Sequence, residues 1–190
     1  MKKGSLLVIS GPSGVGKGTV VKALLEKHDN IALSISCTTR APREGEIDGK
    51  HYYFITKEKF EQMIAEGAFL EYAANFSNYY GTPLDKVQEK LNAGQDIILE
   101  IDVKGALNVK KKVPEAALVF VLPPSLEVLK ARLIGRGTET PEQIEKRFAE
   151  AEHEIEIGEQ YDYRIVNNTI AQAVDDIIGI INKLHSESEE

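Results

Sequence analysis

Residues 6–19 read "LLVISGPSGVGKGT": an apolar run, "LLVIS" (Leu6–Ser10), a glycine-rich turn, "GPSGVGKG" (11–18), and the start of "TVVKALLEK". An uninterrupted apolar run of this length predicts a strand buried on both faces of a parallel sheet. After the turn, Val20, Val21, Leu24 and Leu25 fall on one face of a helix. Gly11, Gly16 and Lys17 satisfy the spacing G-x-x-x-x-G-K. In that pattern the glycines let backbone N–H groups wrap phosphate oxygens, the helix presents its positive end, and the lysine reaches between the β and γ phosphates. The bland alternative is an ordinary strand–helix turn; the buried strand before it and the amphipathic helix after it favour the cradle. Where many nucleotide hydrolases place a metal-binding Ser or Thr, this chain has Gly18, with Thr19 one residue later. A metal would then rest on phosphates, waters and a strand-end carboxylate, Asp102 or Glu100.

Outward from this stretch, strand signals alternate with helical ones. "IALSIS" (31–36), "DIILEID" (96–102), "ALVFVL" (117–122) and "YRIVNN" (163–168) read as strands, with helices between them. The expected fold class is α/β, a parallel core sheet flanked by helices. Thr82-Pro83 and Thr140-Pro141 each predict a helix start, a capping hydroxyl followed by proline. Two stretches break the rhythm. Residues 37–80 hold a polar loop, the strand-like "HYYFIT" and "FLEYA", and a helix near residues 60–64, an inserted antiparallel subdomain. Residues 135–158 form a charged helical hairpin with little apolar surface, the composition of a lid. The final helix is expected over about 171–184, followed by a frayed polar tail, "HSESEE".

Composition bounds the function. The chain has 190 residues, 42% hydrophobic and 28% charged, enough for one domain with a full core. Its single cysteine, Cys37, excludes an intrachain disulfide and a cysteine-rich zinc site. No apolar run suits a signal peptide or a membrane span, so a cytoplasmic protein is expected. The net charge of −7 argues against nucleic-acid binding. Residues 1–60 nevertheless carry ten Lys/Arg against six Asp/Glu, which suits a small anionic ligand held locally. His28, His51, His153 and His185 read as surface residues, and Lys110–Lys112 as a solvated helix end.

The ordered set "GPSGVGKGT", "SCTTRAPREGEIDGKHYYF", "FLEYA", "NYYGTP", "LEIDVKG" and "GRGTE" resembles the guanylate kinases, P-loop nucleoside-monophosphate kinases, over residues 4–184. The resemblance implies a P-loop NTPase fold with a core (4–36, 81–124 and 159–184), a nucleoside-monophosphate-binding subdomain (37–80), a lid (125–158) and a tail (185–190). It implies transfer of the terminal phosphoryl group of ATP to GMP, with dGMP as a further acceptor and Mg²⁺ as cofactor. ATP would be held by Gly11, Pro12, Ser13, Gly14, Val15, Gly16, Lys17, Gly18 and Thr19, with Asn167 near adenine. Arg40, Arg43, Tyr52 and Tyr80 would hold the GMP phosphate; Ser36, Glu71, Thr82 and Asp102 would read the base. Lys17, Arg136 and Arg147, with Arg132 assisting, would bring charge to the transferring group. Two alternatives stand beside this: a kinase for another monophosphate, and a non-catalytic interaction module. A homo-oligomer is left open.

Overall fold

The computed structural model describes residues 3–75, 77–135 and 140–187. In chain order the elements are β1 (Leu6–Ser10), α1 (Lys17–Lys27), β2 (Ile31–Leu33), β3 (Cys37–Thr38), β4 (Tyr53–Phe54), α2 (Lys57–Ala65), β5 (Phe69–Asn75) and β6 (Asn78–Pro83). Then come α3 (Leu84–Asn92), β7 (Asp96–Glu100), α4 (Val103–Lys112), β8 (Ala117–Leu122), α5 (Leu126–Ile134), α6 (Pro141–Ile157), the single 3₁₀ turn Gly158–Gln160, β9 (Tyr163–Val166) and α7 (Ile170–Glu187).

The core sheet has the order β2-β7-β1-β8-β9, and every pair in it is parallel. The central strand β1 is buried at every residue, as its unbroken apolar run requires. Alternate side chains feed two layers. Leu7, Ile9, Ile98, Val119 and Val121 pack under α1 and α7, while Leu6, Val8, Leu99, Leu118 and Phe120 pack under α3 and α4. All strands run the same way, so the loops after β1, β2, β7, β8 and β9 meet at one edge. Ligands of open parallel sheets bind outside that carboxyl edge.

A second sheet, order β4-β3-β6-β5, lies between residues 37 and 83. The sequence suggested an antiparallel unit; it is mixed, because β4 pairs with β3 in parallel. The loop over residues 39–52 carries the chain back to the start of β3, so β4 runs alongside it rather than against it. Strands β5 and β6 form a hairpin, and β6 runs on to Pro83. The aromatic cluster of Phe60, Phe69 and Tyr79 is the small core here, with Phe60 and Phe69 stacked at 4.3 Å.

Three local expectations need correction. Thr140 caps α6 with a full capping box, but Thr82 caps nothing: the N-cap of α3 is Pro83, and the Thr82 hydroxyl is drawn across the hairpin to Glu71. The last helix does not end at residue 184. It continues through Glu187, because His185 is half-buried with its Nε2 2.8 Å from buried Asp96. Lysines 110 and 112 are not simply solvated. Lys110 Nζ donates to Ala116 O and Asp162 Oδ2, and Lys112 Nζ to Phe69 O, tying the end of α4 to the segment before β8 and to β5. Among the described residues no helix is long and apolar enough to cross a membrane.

Candidate active site

The turn between β1 and α1 is shaped by its glycines. Gly14 and Gly16 have φ of 87° and 90°, and Gly16 is the N-cap of α1. A side chain at Gly16 would lie in the left-handed region and put its Cβ 2.8 Å from Asn167 Nδ2. The loop is pinned from outside through one carbonyl, Val15 O, which accepts from Asn167 Nδ2 at 2.8 Å and from Arg132 Nη1 at 3.1 Å. Val15 itself is 1% exposed and belongs to the core. Lys17, the first residue of α1, is half-buried beside the cradle. Gly14, Gly16, Thr19, Arg132, Asn167 and Asn168 line a cleft of about 340 Å³ beside the loop. Asn167 lies beside the loop, with one amide hydrogen spent on Val15 O. Arg132 braces the loop in the same way, a role its spacing did not reveal.

Carboxylates gather at the ends of β7 and β5. Asp102 caps α4, its Oδ1 accepting the Gly105 N–H at 2.7 Å. Glu71 lies opposite Thr82 in the hairpin register, and the Thr82 hydroxyl donates to Glu71 Oε1 at 2.7 Å. Both side chains are buried, Glu71 to 8% exposure. Burial pushes the Glu71 carboxyl above the ordinary carboxylate range; the Thr82 hydroxyl opposes this and Asp102 adds to it. Its other oxygen lies 3.4 Å from where a Cβ on Gly105 would sit, so the carboxylate reaches the positive first turn of α4. Glu100 is exposed at the end of β7, and its Oε1 is 3.5 Å from a Cβ built on Gly18.

Across the cleft, Arg40 is held in place. Its Nη1 and Nη2 donate to Glu46 Oε2 and Oε1, each at 2.9 Å, and its guanidinium lies over the Tyr52 ring at 5.4 Å. Tyr52 and Tyr80 meet edge to face at 6.0 Å. The Arg40 fork and the Arg43 N–H hold the Glu46 carboxyl down at about 2, and Glu46 with Tyr80 raises Arg40 in turn. Arg43 uses its backbone N–H on Glu46 and keeps its side chain exposed. Ser36, Ser34, Tyr52, Thr82, Glu100 and Ile101 line a cleft of about 340 Å³ between the two sheets. His51 lines it too, its Nδ1 accepting the Ile47 N–H at 2.9 Å.

The structure thus brings together Arg40, Tyr52 and Tyr80 on one side and Ser36, Glu71, Thr82 and Asp102 on the other. Arg147 is half-buried on α6, and Arg136 lies outside the described residues. Glu46 and His51 were missed in the sequence. An acid six residues on from Arg40 in the basic stretch "RAPREGE" was the one available signal. Among the described residues no three His, Cys, Asp or Glu side chains cluster to hold a metal.

The comparisons agree with one another. The family model described as guanylate kinase matches residues 3–184. A guanylate kinase of Clostridioides difficile (strain 630) is 55% identical, over 96% of this chain and 89% of its own. One from Halalkalibacterium halodurans is 50% identical, over 99% and 92%. The crystal structure of a guanylate kinase from Anaplasma phagocytophilum superposes with a TM-score of 0.73 at 35% identity, over 96% of this chain and 87% of that one.

Proposed function

The chain belongs to the guanylate kinase family and is an ATP:GMP phosphotransferase, and on that premise we propose how its residues divide the work. The observation that carries the division is the pairing of a phosphate cradle at the end of β1 with a buried Glu71–Thr82 pair across the cleft. The cradle and Lys17 take the β and γ phosphates of ATP. Guanine presents N1–H and its exocyclic amine as adjacent donors, which one carboxylate accepts together. Glu71 is that carboxylate; Thr82, Ser36 and Asp102 complete the ring of contacts. Arg40, Arg43, Tyr52 and Tyr80 hold the acceptor phosphate, because guanidinium forks and phenol hydroxyls match its oxygens. Glu46 keeps Arg40 oriented before the substrate arrives, so little side-chain entropy is lost on binding.

The nucleophile is an oxygen of the GMP phosphate, whose second pKa is about 6, so it is already ionised at neutral pH. It forms a bond to the γ phosphorus as the bond to the β–γ bridging oxygen breaks, and ADP leaves with that electron pair. No general base is required. Alignment and positive charge do the remaining work, from Lys17 and from Arg136 and Arg147 of the lid, residues 125–158. Lid closure over both nucleotides excludes water, which would otherwise accept the phosphoryl group.

The family's use of ATP implies a divalent metal, and Mg²⁺ is the proposed ion. The donor set fits an ion held mainly by phosphates and waters: Gly18 offers no hydroxyl, while exposed Asp102 and Glu100 offer carboxylate oxygens at the strand ends. When bound, the ion would neutralise phosphate charge. The substrates make this a cytoplasmic enzyme of purine nucleotide metabolism, and dGMP fits the same contacts. The alternative acceptors are separated by a coupled ADP-release assay with ATP and GMP, dGMP, AMP, CMP and UMP. GMP should lead, with dGMP second; AMP at parity with GMP would overturn the base assignment. A non-catalytic module would release no ADP with any acceptor.

A further inference from the structure

His51 lines the cleft between the two sheets and has no part in the division of work above. Its side chain is exposed, yet it is tied twice to one residue. The His51 N–H donates to Ile47 O at 3.0 Å, and the ring Nδ1 accepts the Ile47 N–H at 2.9 Å. The turn between them is braced further: the Gly49 N–H donates to Tyr52 O and the Phe54 N–H to Asp48 Oδ1, each at 2.8 Å. A ring nitrogen that accepts a hydrogen bond carries no proton, so the neutral imidazole holds its proton on Nε2. The reciprocal bond to Ile47 thus fixes the tautomer and the ring together. Among the described residues the Nε2–H has no partner. It is a held donor, and holding it in advance reduces the entropy lost on binding.

The cleft says what the donor meets. His51 shares it with residues from both ends of the proposed GMP site: Tyr52 for the phosphate, Ser36 and Thr82 for guanine. The backbone joins those ends, because the Tyr53 N–H donates to Ser36 O at 2.9 Å. The strand that follows His51 and Tyr52 is therefore pinned to the segment that carries Ser36. In GMP the ribose lies between base and phosphate. Arg40, Arg43, Tyr52 and Tyr80 already supply donors to the phosphate, and Glu71, Thr82, Ser36 and Asp102 surround guanine. The ribose hydroxyls are the oxygens left without a donor.

We propose that His51 is a specificity-determining residue of the acceptor site: its Nε2–H donates to a ribose hydroxyl of GMP and so favours the ribonucleotide over its deoxy forms. This deepens the function above and rests on the assignment of the cleft to GMP.

The test assays the whole enzyme with ATP and three acceptors: GMP, 2′-deoxy-GMP and 3′-deoxy-GMP. The parent should favour GMP over at least one deoxy form in kcat/KM. Asparagine can place an amide oxygen where Nδ1 stands but does not reach as far as Nε2. His51→Asn should therefore melt with the parent, lower kcat/KM for GMP about three- to tenfold through KM rather than kcat, and erase that preference. Glutamine has the converse reach, an amide N–H near the place of Nε2 and no acceptor at Nδ1. His51→Gln should melt lower and keep the greater part of the preference. A parent without preference overturns the proposal, as does a His51→Asn protein that discriminates like the parent. Equal losses for all three acceptors in both variants overturn it too, since a merely structural role predicts that result. Tyr52→Phe separates the two readings. If it leaves KM for GMP unmoved, the cleft is not the acceptor site, and the assignment falls together with this proposal. If it raises that KM while His51→Asn discriminates like the parent, the assignment stands and the role of His51 alone falls.

Discussion

On the proposed division of work, Lys17 and Glu71 set the chemistry at the two substrate ends of the site. Lys17→Ala should lower turnover by at least two orders of magnitude and leave the circular dichroism melt unchanged, because the proposed role of this half-buried ammonium is to serve phosphate and it takes no part in the core. Glu71 bears on specificity. AMP lacks the paired donors and leaves a buried carboxylate short of partners, which costs roughly 1–3 kcal/mol, about one to two decades in kcat/KM. Glu71→Ala should therefore compress the GMP/AMP ratio by that amount and leave KM for ATP unmoved. The same burial has a pH signature. Because the folded-state pKa of Glu71 is raised, its proton is held more tightly in the folded protein than in the unfolded one. The associated stability is fully present below the unfolded carboxylate value and is lost as pH rises through the raised one. Glu71→Gln should accordingly melt higher than the parent at pH 7, with the difference shrinking as pH falls through the carboxylate range in thermal melts. GMP binding should reverse the ranking, since it stabilises the charged form.

At the scale of the element, two identical dipeptides part company. The Thr140 hydroxyl accepts the Gln143 N–H and the Thr140 N–H donates to Gln143 Oε1, so Thr140→Ala should destabilise the protein by about 1 kcal/mol without raising KM for GMP. Thr82→Ala should leave α3 intact, because the cap there is Pro83, and raise KM for GMP by removing a donor from Glu71. Steady-state kinetics and urea melts on the two variants check both halves. Gly16→Ala tests the loop as a unit: a left-handed non-glycine residue costs roughly 1–2 kcal/mol, and its Cβ would press on Asn167. The hydrogen bond from Asn167 to Val15 O would shift with it, so KM for ATP should rise more than KM for GMP.

Taken whole, the molecule joins a five-stranded parallel sheet to a second, four-stranded mixed sheet. No described carboxylate cluster needs a metal to balance it. Chelation by EDTA should abolish turnover yet leave the nucleotide-free melting temperature unchanged in calorimetry. The sheet was legible in the chain because burial on both faces demands unbroken apolar runs, as at Leu6–Ser10 and Ala117–Leu122. So was the glycine-rich turn after β1, whose glycines answer to local backbone geometry, and the change of pattern over residues 37–83 was visible as well. The candidate GMP contacts came from ordered motifs, since a lone Glu71 or Tyr52 carries no mark of its own. What only the tertiary structure decided was how side chains distant in sequence share partners: Thr82 turning from a cap to Glu71, Asn167 and Arg132 meeting on Val15 O, Glu46 gripping Arg40, His185 finding Asp96. Local pattern records the period of burial and the conformations a backbone needs. It holds no record of which polar group meets which across separations as long as the 152 residues between Val15 and Asn167, because that pairing is settled when the strands come into register.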